Sequence, residues 1–297
     1  LELNKKMDEL IKVIKPVFEK YLDEENLQRF LKNEENFNFG YRYWYWFKST
    51  NLLQITEEDL KNSHCYSQKL GLRIIITFSL IESLYGEKFG ENVVISFFSN
   101  LNLEERFLFS WLIETKDPTR EEEVELLLKD EEAGKDHRQL ENSERRLKMN
   151  LLLSYLLNQN SALMKREFDE RIKYLYALRS QIIHQGKLPF FMAKFGSFHE
   201  GIIKMAIVSS FPKKNVQDKI LIFRDYKHAI KLEDILEDLV FISLFRNKDI
   251  KIREKFLKEF KKKFWKVLEM IQKYSYGDLY FSIRQQLNQY LNISRDN

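Results

Sequence analysis

Apolar residues recur at three- and four-residue intervals along much of this chain, and polar or charged runs separate the stretches that do so. Leu3 to Leu22 reads as an amphipathic helix with Leu10, Ile14, Val17 and Tyr21 on one side. Residues 23–36 are charged and polar, a loop with a short helix. Ile55 to Leu60 carries a helix start, with Thr56 as its cap and Asp59 three residues later. Leu70 to Tyr85 is an apolar core helix in which Glu82 is the one acid. Asn100 to Ile113 is another helix, stopped and restarted by Asp117-Pro118-Thr119. Arg120 to Lys148 mixes charges on a scale that reads as a solvated helical hairpin, and Leu151 to Leu157 returns to the core.

The second half continues the pattern. Phe168, Ile172, Leu175, Leu178, Ile182 and Ile183 form one apolar stripe, which Gly186 ends and Pro189 keeps from resuming. Phe190 to Phe211 is apolar and aromatic without a clear period, and Lys219 to Arg224 suits a short strand. Ile230 to Phe245 is helix, with Ile235, Leu239, Ile242 and Phe245 on one stripe. Residues 248–273 hold ten Lys or Arg against four acids. There Ile252, Phe256, Phe260, Phe264, Leu268 and Ile271 share one face, while Lys251, Lys255, Lys258, Lys262 and Lys266 share another. Such a helix can track phosphates, dock on a partner or membrane surface, or simply face water. Tyr274 to Asn297 closes the chain as a helix with a polar tail.

Composition sharpens this into an all-α expectation with little or no sheet. Nine Gly and four Pro in 297 residues favour long helices over tight hairpins, and 44% hydrophobic residues supply a core. A net charge of +4 is mild, so only its distribution can point to nucleic acid. The single Cys65 excludes an internal disulfide and suits a reducing cytosol; with His64 alone beside it, it is no structural zinc site. The run Ile74 to Ile81 is far short of the roughly 20 residues of a membrane span. The N-terminus lacks a signal-peptide layout, so the expected location is cytoplasmic. His199-Glu200 begins a zinc-protease pattern, but Ile203 stands where the second histidine is needed. No Walker loop, Rossmann glycine pattern or nucleophile elbow occurs, and no metal or cofactor is expected.

Two clusters carry candidate chemistry. Phe37, Phe39, Tyr41, Tyr43, Trp44, Tyr45, Trp46 and Phe47 interleave with Arg42 and Lys48. Flat rings beside cations stack unpaired bases, although such a cluster is more often core. The second cluster is Leu178-Arg179-Ser180-Gln181-Ile182-Ile183-His184-Gln185-Gly186-Lys187. Arginine holds a phosphate through two parallel hydrogen bonds, and histidine both takes and gives a proton near neutrality. Arg179 projects into the apolar stripe, where it needs a partner or an anion. Glu82 is a candidate to orient Arg179 by a charge-assisted pair or to position a substrate ribose, although a plain structural partner is the commoner role for such an acid. His184 lies about 140° round the helix from Arg179 and about 7.5 Å further along it. One ideal helix therefore does not bring both to one phosphate. They converge if the last turn relaxes, or if a second copy of the helix supplies the missing half, as a two-fold dimer does.

Leu178 to Lys187 resembles the signature of the HEPN superfamily, particularly its Apea-like branch: Leu-Arg-Ser, a variable residue, two β-branched residues, His, then glycines. Leu72-Arg73-Ile74-Ile75-Ile76-Thr77-Phe78-Ser79-Leu80-Ile81-Glu82-Ser83-Leu84-Tyr85-Gly86 is similar to the first core helix of that branch. The likeness spans Lys69 to Asn247 and is specific at those two places. Two positions depart from the commoner pattern: Ser180 follows the arginine, and Gln185 replaces a glycine. The resemblance implies an antiparallel helical bundle at 67–247, with an aromatic-rich helical extension at 1–66 and a basic helical extension at 248–297. It implies metal-independent cleavage of RNA, whether tRNA or mRNA, in a homodimer, with Arg179 gripping the scissile phosphate and His184 handling the proton. Ser180, Gln181 and Lys187 are candidate neighbours of phosphate or sugar. Lys255, Lys258, Lys262, Lys266 and Arg42 are candidate RNA contacts. The resemblance further suggests a toxin or antiphage effector with an inhibitory or activating protein partner. The alternative is a catalytically inactive module that binds RNA or protein.

Overall fold

The computed structural model describes residues 2–49, 54–56, 58–59, 63–85, 91–116, 161–185, 190–195, 202–209, 219–226 and 230–274. The expected charged hairpin at 120–148, the stretch 151–157, the His199-Glu200 pair, Lys187 and the tail beyond residue 274 lie outside the described residues, as do the side chains of His64, Cys65 and Gln181.

Helices α1 (Glu2–Phe18), α2 (Glu24–Lys32) and α3 (Glu34–Tyr43) come first, and α3 runs directly into a π-helical turn at Trp44–Lys48. Helix α4 (Ser63–Tyr85) is followed by α5 (Glu91–Phe97), which tightens into a 3-10 turn at Phe98–Asn100. Helix α6 (Leu103–Leu112) leads straight into strand β1 (Ile113–Lys116). Helix α7 (Ser161–Gln185) precedes β2 (Phe190–Phe195), β3 (Ile202–Ser209) and β4 (Lys219–Tyr226). Helices α8 (Leu232–Asn247) and α9 (Glu254–Tyr274) complete the described part.

The body is helical, as the apolar spacing requires, and α8 is its axis. Leu232, Ile235, Leu236, Leu239, Phe241, Ile242, Leu244 and Phe245 are all buried, so this helix meets protein on every side. Phe18 of α1 sits against Phe30 at 5.0 Å, Phe241 at 5.3 Å and Tyr43 at 6.1 Å between ring centres. Truncating a fully buried ring of this kind costs about 3–5 kcal/mol. Helix α9 lays Phe256, Phe260, Phe264, Val267 and Leu268 into the same core. Buried residues from 1–66, 67–247 and 248–297 thus join one cluster. Most of the aromatic run belongs to it as well: Phe37, Phe39, Tyr43 and Phe47 are buried, while Tyr45 and Trp46 are exposed.

Two local devices fix α8. Asp238, buried on its flank, accepts hydrogen bonds from Lys20 Nζ at 3.0 Å, Tyr21 Oη at 3.2 Å and Lys263 Nζ at 2.6 Å. A buried carboxylate is costly without such partners. The C-terminus closes with a left-handed residue, Asp249 (φ 53°). The Ile250 N–H donates to Phe245 O at 2.8 Å and the Asp249 N–H to Arg246 O at 3.2 Å, the paired bonds of a Schellman motif. Helix α6 is started by a capping box between Asn102 and Glu105, and Arg246 of α8 grips the Glu105 carboxylate at 2.7 and 2.8 Å.

The four strands form one antiparallel sheet in the order β1-β4-β3-β2, with Ile113 opposite Phe223, Ala206 opposite Ile222 and Met192 opposite Ala206. The all-α expectation holds for the helical body, and this small sheet is an addition to it, with β4 containing the short strand anticipated at Lys219 to Arg224. The physical reason lies in the sequences Phe190–Phe195 and Ile202–Ser209. Their β-branched and aromatic residues favour a pleated surface, and neither run is long enough to show a helical period. Strand β2 lies along α4, and β4 contacts α6 and α8, so the sheet is appended to the helical body.

Candidate active site

Helices α4 and α7 pack together and carry the candidate residues. On α7, Phe168, Ile172, Leu175 and Leu178 are buried and hold the helix against the core. Tyr176 and Arg179, three residues apart, lie on a neighbouring face and meet the end of α4, where Glu82 is 2% exposed. One Glu82 oxygen accepts a 2.6 Å hydrogen bond from the Tyr176 hydroxyl, and the other accepts from Arg179 Nη2. The guanidinium also lies over the Tyr176 ring, 5.5 Å from its centre. The Arg179 side chain is 11% exposed, and its buried Nε has no hydrogen-bond partner among the described residues.

Electrostatics follow from that geometry. Loss of water around Tyr176, then its hydrogen bond to Glu82 and the charge on that carboxylate, push the phenol up to about 12. Arg179 and the Ser180 hydroxyl pull the other way. Tyr176 therefore stays a hydrogen-bond donor at any working pH, and Glu82 has a permanent neutral partner beside its cationic one.

His184, five residues beyond Arg179, is exposed, as is Ile183 at 44%. It makes no hydrogen bond to a described residue. The structure thus brings Glu82 and Arg179 together and leaves His184 apart on the open end of the helix. Ser180 is half-buried beside them. Arg42, Lys255, Lys258, Lys262 and Lys266 are exposed on other helices.

Tyr176 was not legible as a site residue, although its place three positions before Arg179 was the available signal, since that spacing puts both on one helix face. Pairing of a buried arginine is common in this fold. Arg171, on the same helix, donates to Ile113 O at 2.8 Å and to Glu167 at 2.8 Å, and Arg106 donates to the Leu101, Phe98 and Ser99 carbonyls. What distinguishes Arg179 is its place on the last turns of a helix whose end reaches solvent.

A cavity of about 10 Å³, lined by Tyr43, Arg73, Thr77, Glu233 and Glu237 among others, has room for one water and is too small for a metabolite. Among the described residues no group of three or more His, Cys, Asp or Glu could hold a metal ion, and no helix is long and apolar enough to cross a membrane. No family model, curated protein or solved structure matches the chain.

Proposed function

We propose that this chain is an endoribonuclease that cuts RNA without a metal ion, in a site shared by two copies of the end of α7. The observation that carries the reading is the Glu82–Arg179 pair, which fixes a cation five residues before an exposed histidine on the same helix. A guanidinium held by a carboxylate is oriented in advance, and a pre-oriented cation stabilises charge that develops on a phosphorane. RNA supplies its own nucleophile. The His184 imidazole of one copy takes the proton from a 2′-hydroxyl, whose oxygen bonds to phosphorus. The imidazolium of the other copy gives its proton to the departing 5′-oxygen as the P–O5′ bond breaks. The products are a 2′,3′-cyclic phosphate and a 5′-hydroxyl. Arg179 clamps the non-bridging oxygens, and Glu82 acts through Arg179 as a positioning residue. The likeness to HEPN ribonucleases adds a toxin or antiphage role and a controlling protein partner to this proposal.

The test is incubation of the full chain with mixed tRNA and mRNA, with and without chelator, followed by mapping of the cut ends. Cleavage that survives chelation, leaves cyclic phosphate and falls at least about 100-fold in His184→Ala is expected. A strict requirement for magnesium, or full activity in His184→Ala, overturns it. A strict monomer in solution removes the composite site. One observation favours a second reading, a module that binds RNA or protein without turnover: Glu82 neutralises Arg179 much as Glu167 neutralises Arg171. Under that reading Arg179→Ala lowers stability, and no variant changes an activity.

A further inference from the structure

We infer that the outer face of α9 is a rail that binds the phosphate backbone of an RNA strand. Lys255, Lys258, Lys262 and Lys266 are all exposed, and they follow one another at three- and four-residue intervals. They form a straight row about 16 Å long on the helix surface. None of the four has an ion pair within the described protein, whereas two other lysines of the same helix do. Lys261 meets Glu104 at 3.8 Å, and Lys263 meets the buried Asp238 at 2.6 Å. Cations that this fold needs for itself are therefore matched, and the row is left over. Like charges at such intervals repel one another along a helix, so the row disfavours the free helix and is relieved by an anion. Glu254 and Glu259 are exposed at its margins, and neither forms an ion pair with these four lysines.

The structure also separates the uses open to a basic amphipathic helix. Insertion into a membrane surface needs the apolar face, but Phe256, Phe260, Phe264, Val267 and Leu268 are buried in the core. Only the charged face is available, and repeated point charges along a line match a polyanionic strand. RNA is chosen over other polyanions on the strength of the nuclease reading, which this inference deepens by naming the surface that holds the substrate.

The probe is a fluorescent strand of about 20 nucleotides with 2′-O-methyl groups, which keeps the phosphates and lacks the nucleophile, so the intact protein can be titrated without cutting it. Binding is read by anisotropy from about 50 to 200 mM salt. If all four lysines contact phosphate, their share of the slope of log K against log salt is about −2.8, an affinity drop of about 50-fold over that range. Lys255→Gln, Lys258→Gln, Lys262→Gln and Lys266→Gln together remove that share, and glutamine preserves helix propensity. A control removes four exposed cations elsewhere, Lys12, Arg29, Lys32 and Lys165, which should leave the slope nearly as it was. Equal loss in the two variants, no loss in the α9 variant, or lysine-dependent binding only to vesicles of anionic lipid overturns the rail. Cleavage of an unmethylated strand is scored separately, so a protein that binds through α9 and never cuts refutes the nuclease and leaves the rail standing.

Discussion

Replacing Glu82 by glutamine isolates the charge at the α4–α7 seam. The amide keeps the shape and an acceptor for the Tyr176 hydroxyl, but the Arg179 guanidinium loses its counter-charge. Two unit charges 4 Å apart attract by about 4 kcal/mol at an effective dielectric near 20. Removing one member of a buried pair costs about 3–5 kcal/mol, because the other is left uncompensated. With Glu82 at 3% and Arg179 at 11% side-chain exposure, the pair is buried but not sealed. The retained acceptor and this residual access to water put the expected loss at about 2–3 kcal/mol. Arg179→Met is expected to cost about 2 kcal/mol, since Glu82 keeps the Tyr176 hydroxyl as a donor. The double variant leaves no charge, and the coupling energy should be about 2 kcal/mol. Urea unfolding at neutral pH, followed by circular dichroism, measures all four proteins. Additive effects, with coupling below about 0.5 kcal/mol, would refute the argument that these two groups stabilise one another. The same proteins divide the two functional readings: a nuclease loses cleavage in Glu82→Gln while keeping RNA affinity, and a binding module loses only stability.

Other consequences of the structure are checked by similar means. Tyr176 holds its proton more tightly in the folded state, so its contribution to stability is complete below about pH 10 and lost as pH rises through about 12. Tyr176→Phe should lack that part of the alkaline decline when unfolding is measured from pH 9 to about 12. Gly40→Ala places a Cβ 3.0 Å from Phe18 Cε2 and 3.2 Å from Ile14 Cγ2, where α1 and α3 touch. The overpacking should outweigh the helix preference of alanine and cost about 1–3 kcal/mol, and a raised melting temperature would contradict this. Asp249→Gly relieves the left-handed position after α8 and should add about 0.5–1 kcal/mol, whereas Asp249→Val should destabilise; equal melting temperatures would show that φ there is not limiting.

Helices with a strong apolar stripe were legible in the sequence. The helix expected at Ile230 to Phe245 occurs at Leu232–Asn247, and that expected from Leu70 to Tyr85 forms the later part of α4. Their spacing carries the information directly. Helix α1 stops at Phe18, short of the expected Leu22, as the Tyr21 and Leu22 amides turn back onto the Phe18 carbonyl. The sheet was harder to read because runs such as Phe190–Phe195 and Ile202–Ser209 are short and almost continuously apolar in sequence, so neither the two-residue nor the helical period stands out. Within the candidate site, the need of Arg179 for a partner followed from its place on an apolar stripe, and Glu82 was foreseeable as the lone acid of α4. Tyr176 was not, since a tyrosine on an apolar face reads as packing until the acceptor for its hydroxyl is known.

The shared core has a practical consequence for anyone who would divide this chain. A cut near residue 66 would strip Phe18 and Tyr43 from Phe241, and a cut near residue 247 would uncover the seats of Phe256, Phe260 and Phe264. The segments at either end are walls of the same room, so fragments made there should expose oily surface and clump, while the protein is best handled whole.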